Sequence, residues 1–296
     1  MDNKMQRFKN KRVLIVLVSL AVLFIGAFLL YTNKDSGREA PFLEIDALNV
    51  GKADCFIITD AVHTILIDTG TQEAASDIQT RLKELNVSKI DLMILTHYDK
   101  DHIGSAPTLV NYFTIEDMIM PDYIPEKSER LEELKALPVT NASKLISKPY
   151  MLEIGDIKLD IRPANDPESI IQKKVEKGKE YDNNMSLVTM LTYEGKHFLF
   201  TGDIEKDRCK ELLADDTFSL KADWIKMPEH GRYQKKLSEL IDRVNPSYAV
   251  ISTSKKEEPN EKTLNLLNER NIPYFITSEG LIQTTCQNGE ITITIR

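Results

Sequence analysis

A chain of 296 residues, 42% of them hydrophobic, can bury one large core or two modest ones, which excludes disorder over most of its length. The net charge of −8 is uneven: residues 1–12 carry five basic groups against one acidic, and beyond them 33 lysines and arginines face 45 aspartates and glutamates, a net of −12. So acidic a body argues against tight, general nucleic-acid binding, which draws most of its affinity from a basic surface, and three scattered cysteines (Cys55, Cys209 and Cys286) exclude a disulfide framework.

Residues 13–31 are nineteen consecutive residues without a charge, close to the roughly 20 apolar residues that cross a bilayer as a helix. Lys4, Arg7, Lys9, Lys11 and Arg12 precede them and only Asp2 opposes, so the positive-inside bias predicts a cytoplasmic N-terminus with everything after residue 31 extracellular. A cleaved signal peptide is the other reading. The run exceeds the usual apolar core of about 7–15 residues, and no Ala-x-Ala-like site follows it closely, which favours an uncleaved anchor. The expected organisation is a basic cytoplasmic tail (1–12), a transmembrane signal anchor (13–31), a linker (32–40) and a folded domain (41–296), held at the cell membrane by one pass.

Within the domain, apolar patterning predicts strands over 42–50, 55–59 and 63–68, then a helix over 73–85 in which Ile78, Leu82 and Leu85 recur at spacings of four and three. A strand over 90–95, a helix over 106–112, a strand near Met118 and a charged helix over 128–137 follow. Hairpins are expected over 151–161, turning at Gly155-Asp156, and over 187–200, turning at Glu194-Gly195. An alternating series closes the chain: helix 204–213, strand 223–227, helix 235–244, strand 248–253, helix 261–271, and C-terminal strands around Gln287-Asn288-Gly289. Two sets of strands interleaved with helices imply two packed sheets with helices outside.

The 90–95 strand opens into Thr96-His97-Tyr98-Asp99-Lys100-Asp101-His102-Ile103-Gly104, which places four metal-capable side chains in six residues of a chain with five histidines. If strand geometry continues, His97, Asp99 and Asp101 share one parity and His102 follows from another direction, so one loop can feed two metal ions. A solvated turn is the bland alternative; two histidines alternating with two aspartates argue for metal. A shared carboxylate is what a two-metal site needs, and Thr201-Gly202-Asp203 ends another apolar strand, although Asp203 could equally cap the next helix. A third strand end offers Lys226-Met227-Pro228-Glu229-His230-Gly231.

These residues resemble the metallo-β-lactamase superfamily, and within it the metallo-β-lactamase-type domain of the ComEC competence family. The resemblance is carried by His97-x-Asp99-x-Asp101-His102-Ile103-Gly104, Asn184-Met185-Ser186-Leu187-Val188, Thr201-Gly202-Asp203 and the 226–231 segment, with support from Asn49-Val50-Gly51-Lys52-Ala53-Asp54 and Leu66-Ile67-Asp68-Thr69-Gly70. It implies an α/β fold, an αββα sandwich of two mixed β-sheets with helices outside. It also implies two divalent metal ions: His97 and Asp99 on the first, Asp101, His102 and His230 on the second, and Asp203 between them. The chain departs from the pattern: Glu229 and Arg232 replace the first His and the Ser of the family's His-His-Gly-Ser, residues 254–259 replace its His-Pro-ending segment, and two departures fall on the first ion. Asp99 stands where most of the superfamily has histidine, and no histidine occurs between His102 and His197, leaving Asn184 as a weak candidate ligand of the first ion. Oxygen-rich ligation moves the choice of metal from zinc toward manganese.

Such a pair of ions supports hydrolysis by an activated water. Asp101 would orient that water and take its proton, the catalytic role; Lys226 and Arg232 would contact a phosphate; and Lys173, Lys174, Lys177 and Lys179 would form a basic lip, unless they are only a solvated face. A small or polymeric phosphodiester is the expected substrate. Nucleic acid is suggested by the family branch and disfavoured by the acidic domain. Hydrolysis of a lactam, lactone or thioester, or a non-catalytic metal-binding sensor, are the alternatives.

Overall fold

In the computed structural model, which describes residues 42–296, the chain forms two sheets in sequence order. The first contains β1 (Phe42–Ala47), β2 (Phe56–Thr59), β3 (Thr64–Ile67), β4 (Lys89–Ile94), β5 (Thr114–Pro121) and β6 (Ala142–Ile146). The second contains β7 (Tyr150–Ile154), β8 (Ile157–Arg162), β9 (Val188–Tyr193), β10 (Lys196–Phe200), β11 (Trp224–Lys226), β12 (Tyr248–Ile251) and β13 (Tyr274–Ile276). The last strands, β14 (Ile282–Gln287) and β15 (Glu290–Ile295), return to the first sheet, which runs β15-β14-β1-β2-β3-β4-β5-β6 beside β13-β12-β11-β10-β9-β8-β7. Each sheet changes character at one strand. β1, β2 and β3 pair antiparallel and β3, β4, β5 and β6 parallel, while β7 to β10 pair antiparallel and β10 to β13 parallel.

Parallel neighbours require crossovers, and helices supply most of them: α1 (Ala75–Glu84), α2 (Lys100–Ile103), α3 (Ala106–Leu109) and α4 (Ser128–Lys135) on the first sheet; α5 (Pro167–Val175) instead joins the antiparallel pair β8 and β9 and adds Ile170 to the first sheet's outer cluster, while α6 (Lys206–Ala214), α7 (Leu237–Val244) and α8 (Glu261–Glu269) cross over on the second. Strand alternation sorts the side chains into layers. Leu43, Ile45, Phe56 and Ile58 meet Phe198, Phe200, Trp224 and Val250 between the sheets. Ile78 and Leu82 of α1 pack on Ile57, Leu66 and Met93 outside the first sheet, and Leu237, Leu240, Ile241 and Val244 of α7 on Ile225, Ala249 and Ile251 outside the second. Phe200 lies 5.1 Å from Trp224 and 5.3 Å from Phe56, ring centroid to ring centroid. Cutting this aromatic hub to alanine at Trp224 would cost about 3–5 kcal/mol.

The result is the expected αββα sandwich of mixed sheets. Three elements escape the sequence pattern. Strand β6 is an exposed edge whose Ala142, Ser143 and Lys144 carry no apolar alternation, and β13 spans three residues. Helix α5 hides behind a polar face, although Pro167 in its first turn and the Asp166 carboxylate accepting from Ser169 N at 3.1 Å mark its start. The helix expected over 106–112 contracts to Ala106–Leu109. No helix among the described residues is long and apolar enough to cross a membrane, and the anchor expected over 13–31 and the linker lie outside the described residues.

Candidate metal centre

The site lies where both sheets turn parallel, at the C-terminal ends of strands, the place where open α/β sheets gather their functional loops. Parallel pairing of Ile67 with Ile94 brings the ends of β3 and β4 abreast, so Asp68 reaches the following loop: its carboxylate accepts from Thr96 N at 2.7 Å and from Thr96 Oγ1 at 2.8 Å. That loop docks tightly on residues 70–72. A Cβ on Gly104 would come 2.5 Å from Gln72 N and Lys100 O, so no larger residue fits there. From the second sheet, Asp203 follows β10 through Gly202 (φ 53°), whose absent Cβ would sit 2.7 Å from that of Ser186.

His230 is aimed differently. Glu229 (φ 49°), His230 (φ 51°) and Gly231 (φ 77°) are three successive left-handed residues, a conformation costing about 1–2 kcal/mol for each residue with a Cβ. Arg232 N bonding Glu229 O at 2.8 Å, Asn260 N bonding Gly231 O at 3.2 Å, and the Asn183 amide donating to the Glu229 carboxylate hold the turn. Strain maintained by such contacts is characteristic of functional sites.

Asp101, His102, Asp203 and His230 are brought together, each offering one ligand atom within 4.8 Å of the others. Asp203 Oδ2 lies 3.0 Å from His230 Nε2 and 3.3 Å from His102 Nε2, and Asp101 Oδ2 lies 3.4 Å from His230 Nε2. The far side of each ring is braced. His102 Nδ1 meets Asp68 Oδ2 at 2.8 Å, and His230 Nδ1 meets the Ser252 carbonyl at the end of β12 at 3.0 Å. His97 Nδ1 lies 3.1 Å from Thr96 Oγ1 and 3.3 Å from Ser186 Oγ. Because the Thr96 hydroxyl donates to Asp68 and that of Ser186 to Asn183 O, both accept from His97, which puts its proton on Nδ1 and leaves an Nε2 lone pair.

Those lone pairs test whether metal fits. The Nε2 atoms of His97, His102 and His230 are all buried and all lack a hydrogen-bond partner, although buried polar atoms nearly always have one. The orphaned nitrogens of His102 and His230 beside Asp101 and Asp203, and that of His97 beside Asp99, are nitrogen–oxygen donors suited to divalent ions. Electrostatics around the cluster are correspondingly unbalanced. Burial opposes charge on His230, but Asp203, Asp101 and Asp54 more than offset it and hold its pKa up at about 9; burial of His102 is likewise overcome by Asp203 and Asp68. Asp203 is itself held well below the usual carboxylate range, its burial outweighed by His230, Lys226 and His102.

His97 and Asp99 form the looser side. His97 Nε2 is 3.6 Å from Asp99 Oδ2, and the other Asp99 oxygen accepts from Arg130 Nη1 at 3.3 Å. Asn184 is not gathered with them. Its amide nitrogen donates to Glu205 Oε2 at 3.0 Å and its oxygen accepts from Arg208 N at 3.1 Å, so both polar atoms tie the 182–185 turn to α6. Lys226 requires a correction: rather than reaching a phosphate, it is 1% exposed, with Nζ between Asp54 and Asp203 (3.0 Å) and donating to Gly202 O at 2.8 Å. As the last residue of β11 it points into the protein and serves as internal counter-charge. Arg232 is exposed, 3.5 Å from Glu229.

Two residues that the sequence did not single out for the site complete it, Asp68 behind His102 and Asp54 beneath Lys226 and 3.6 Å from His230 Nδ1; Asp182, beside Asn184 in the sequence, is buried, and its pKa is raised to about 6 by burial and then by Asp99. The motifs containing Asp54 and Asp68 were visible in the sequence; their roles depend on contacts between distant segments.

Residues 48–255 match the sequence model of the metallo-beta-lactamase superfamily. The chain belongs to that superfamily. Its likeness to the ComEC branch also has a counterpart: it is 26% identical over 270 residues to ComE operon protein 3 of Bacillus subtilis, a match covering 83% of this chain and 33% of that protein. The chain thus spans about a third of the length of that relative. Among solved structures, the metallo-beta-lactamase fold protein YhfI of Bacillus subtilis is similar at a TM-score of 0.52 and 12% identity, over 86% of this chain and 100% of that one. A putative metal-dependent hydrolase of Parabacteroides distasonis matches at 0.52 and 16%, over 80% and 94%. At such identities these structures speak for the metallo-beta-lactamase fold alone.

Proposed function

We propose that this member of the superfamily is a membrane-anchored, extracytoplasmic metal-dependent hydrolase that cleaves a phosphodiester with water at a centre of two divalent ions, zinc or manganese. The observation that carries the reading is the convergence of the unpartnered Nε2 atoms of His102 and His230 on Asp101 and Asp203, with that of His97 facing Asp99 in the same loop. Similarity to ComE operon protein 3 and the ComEC-like motifs support the phosphodiester; the apolar run over 13–31 and its basic flank support the anchor and the outward face. The acidic body favours a small substrate over a long nucleic acid.

His102, His230, Asp101 and Asp203 would hold one ion, and His97 and Asp99, with Asp203 shared, the other. Bound there, divalent ions supply Lewis acidity to a phosphoryl oxygen and acidify water at neutral pH. The protein does the rest. Asp68 fixes the ring of His102 directly and that of His97 through Thr96, and Ser252 O fixes His230, so the donor atoms are set before substrate arrives. Asp101 is kept ionised, its burial offset by the His230 ring 3.4 Å away and the charge of His102, and can accept the proton of the attacking water. Oxygen adds to phosphorus, the bond to the leaving oxygen breaks, and that oxygen takes a proton from solvent.

Metal content and turnover of bis(p-nitrophenyl) phosphate by the full chain test the reading, with His102→Ala as control. Two equivalents of metal with turnover lost in the variant support it. Turnover that survives the substitution overturns the mechanism, and no turnover after zinc or manganese loading points instead to a metal-binding sensor. Single-stranded DNA, RNA, cyclic dinucleotides and β-lactams as alternative substrates narrow the class. Protease added to intact cells should degrade the domain; protection there, with digestion after lysis, would refute the outward orientation.

A further inference from the structure

A cleft of about 380 Å³ opens beside the centre, bordered by Glu205, two residues after Asp203, and by Glu229, the neighbour of His230. Three separate segments bring bases to it. Helix α5 and the loop after it carry Lys173, Lys174, Lys177 and Lys179; the start of α6 carries Lys206; and the loop after His230 carries Arg232 and Lys235. A run of lysines in sequence is usually a solvated face. Convergence of three segments on one concavity is a different observation, the more so in a body whose net charge is −12 beyond residue 12.

The carboxylates in the cleft neutralise only part of this charge, chiefly that of Lys173 and Lys174. Asp207 pairs with Lys173 at 2.7 Å, Glu205 with Lys174 and with the Asn184 amide, and Glu229 with the Asn183 amide, with Arg232 3.5 Å away. Lys177, Lys179, Lys206 and Lys235 form no ion pair among the described residues. Lys206 has its pKa lowered, first by Lys210 and then by burial and Lys235, so neighbouring like charges outweigh the opposing pull of Asp207. A multivalent anion removes that repulsion. Four flexible ammonium groups act as point charges that accept phosphate in many orientations, unlike the fixed fork of arginine.

We infer that this cleft is a subsite for a second phosphate of the same substrate. The inference rests on the phosphodiester reading above and adds that the preferred substrate carries more than one phosphate, the one being cleaved at the centre and another held by Lys177, Lys179, Lys206 and Lys235.

Binding of inorganic tripolyphosphate to the metal-stripped full chain, measured by titration calorimetry, tests the cleft without recourse to turnover. Lys177→Glu/Lys179→Glu and Lys206→Glu/Lys235→Glu should each weaken binding by about tenfold or more, and added salt should weaken binding to the unmodified chain. Lys148→Glu/Lys221→Glu, an equal change of net charge at exposed positions elsewhere, should leave it unchanged. Equal losses in all three variants, or no binding by the unmodified chain, would overturn the inference. In the metal-loaded chain, KM for a short oligophosphodiester should rise in the two cleft variants more than KM for bis(p-nitrophenyl) phosphate; equal changes would count against the subsite. Oligomers with and without a terminal phosphate show whether an internal diester or an end group is held. If no phosphodiester is hydrolysed, the proposed activity fails, while the tripolyphosphate result still decides the cleft.

Discussion

Asp101, His102, Asp203 and His230 offer ligand atoms within 4.8 Å of one another from both sheets, whereas His97 and Asp99 face each other across 3.6 Å from a single loop. The backing differs as much as the spacing. His102 leans directly on the carboxylate of Asp68, which raises the basicity of the ring, while His97 reaches the same carboxylate only through the hydroxyl of Thr96. Asp99 is 39% exposed at its side chain and shares itself with Arg130. One position is thus closed and preorganised. The other is open to solvent at Asp99, and the two should differ in metal affinity although one loop feeds both.

The largest effect is expected where the closed group is broken. His102→Ala removes one of the two rings of the closed group together with its contacts to Asp203 and Asp68, and chelator competition and turnover should both show losses beyond the roughly 10- to 100-fold caused by removing an outer partner. Lys226→Met comes next, because it leaves Asp54 and Asp203 buried without their counter-charge. Denaturant unfolding of the metal-free chain should show a loss of about 3–5 kcal/mol, and an unchanged midpoint would refute the role given to this lysine. Asp68→Asn should lower metal affinity about 10- to 100-fold at both positions, since one carboxylate backs both rings. His97→Ala should remove one equivalent of metal and leave the closed position filled; loss of both would erase the distinction. The mildest is Thr96→Val, expected to weaken only the open position, and by less than the roughly tenfold lower bound set for Asp68→Asn.

Much of this was legible in the chain because strands advertise themselves by period and because the metal-capable residues follow strand ends. The layers, the crossovers and the cluster of Asp101, His102, Asp203 and His230 follow from such local signals. What escaped depends on register and on the direction of single side chains. Lys226 at the end of an apolar strand reads as a group emerging toward substrate, yet it projects between Asp54 and Asp203. Asp68 acts on a histidine thirty-four positions away, a relation created by the pairing of β3 with β4. Asn184 stands at the right place in the sequence for a ligand, but its amide is spent on Glu205 and the backbone of Arg208. The missing third histidine of the open position was visible as an absence with Asp182 beside Asn184 near its place; the burial that raises the pKa of Asp182 was not.

The closed group also has a mechanical meaning. Asp101 and His102 belong to the loop after β4 of the first sheet, Asp203 and His230 to the ends of β10 and β11 of the second. An ion gripping all four is a removable rivet across the sandwich, added to the packing, the Lys226–Asp54 pair and the bonds of residues 186–187 to the loop after β4 that already join the layers at this end. Withdrawing the ion should loosen that end selectively, so amide hydrogens in residues 96–104 and 227–232 should exchange faster in the stripped protein while those of the hairpins at the opposite end keep their protection.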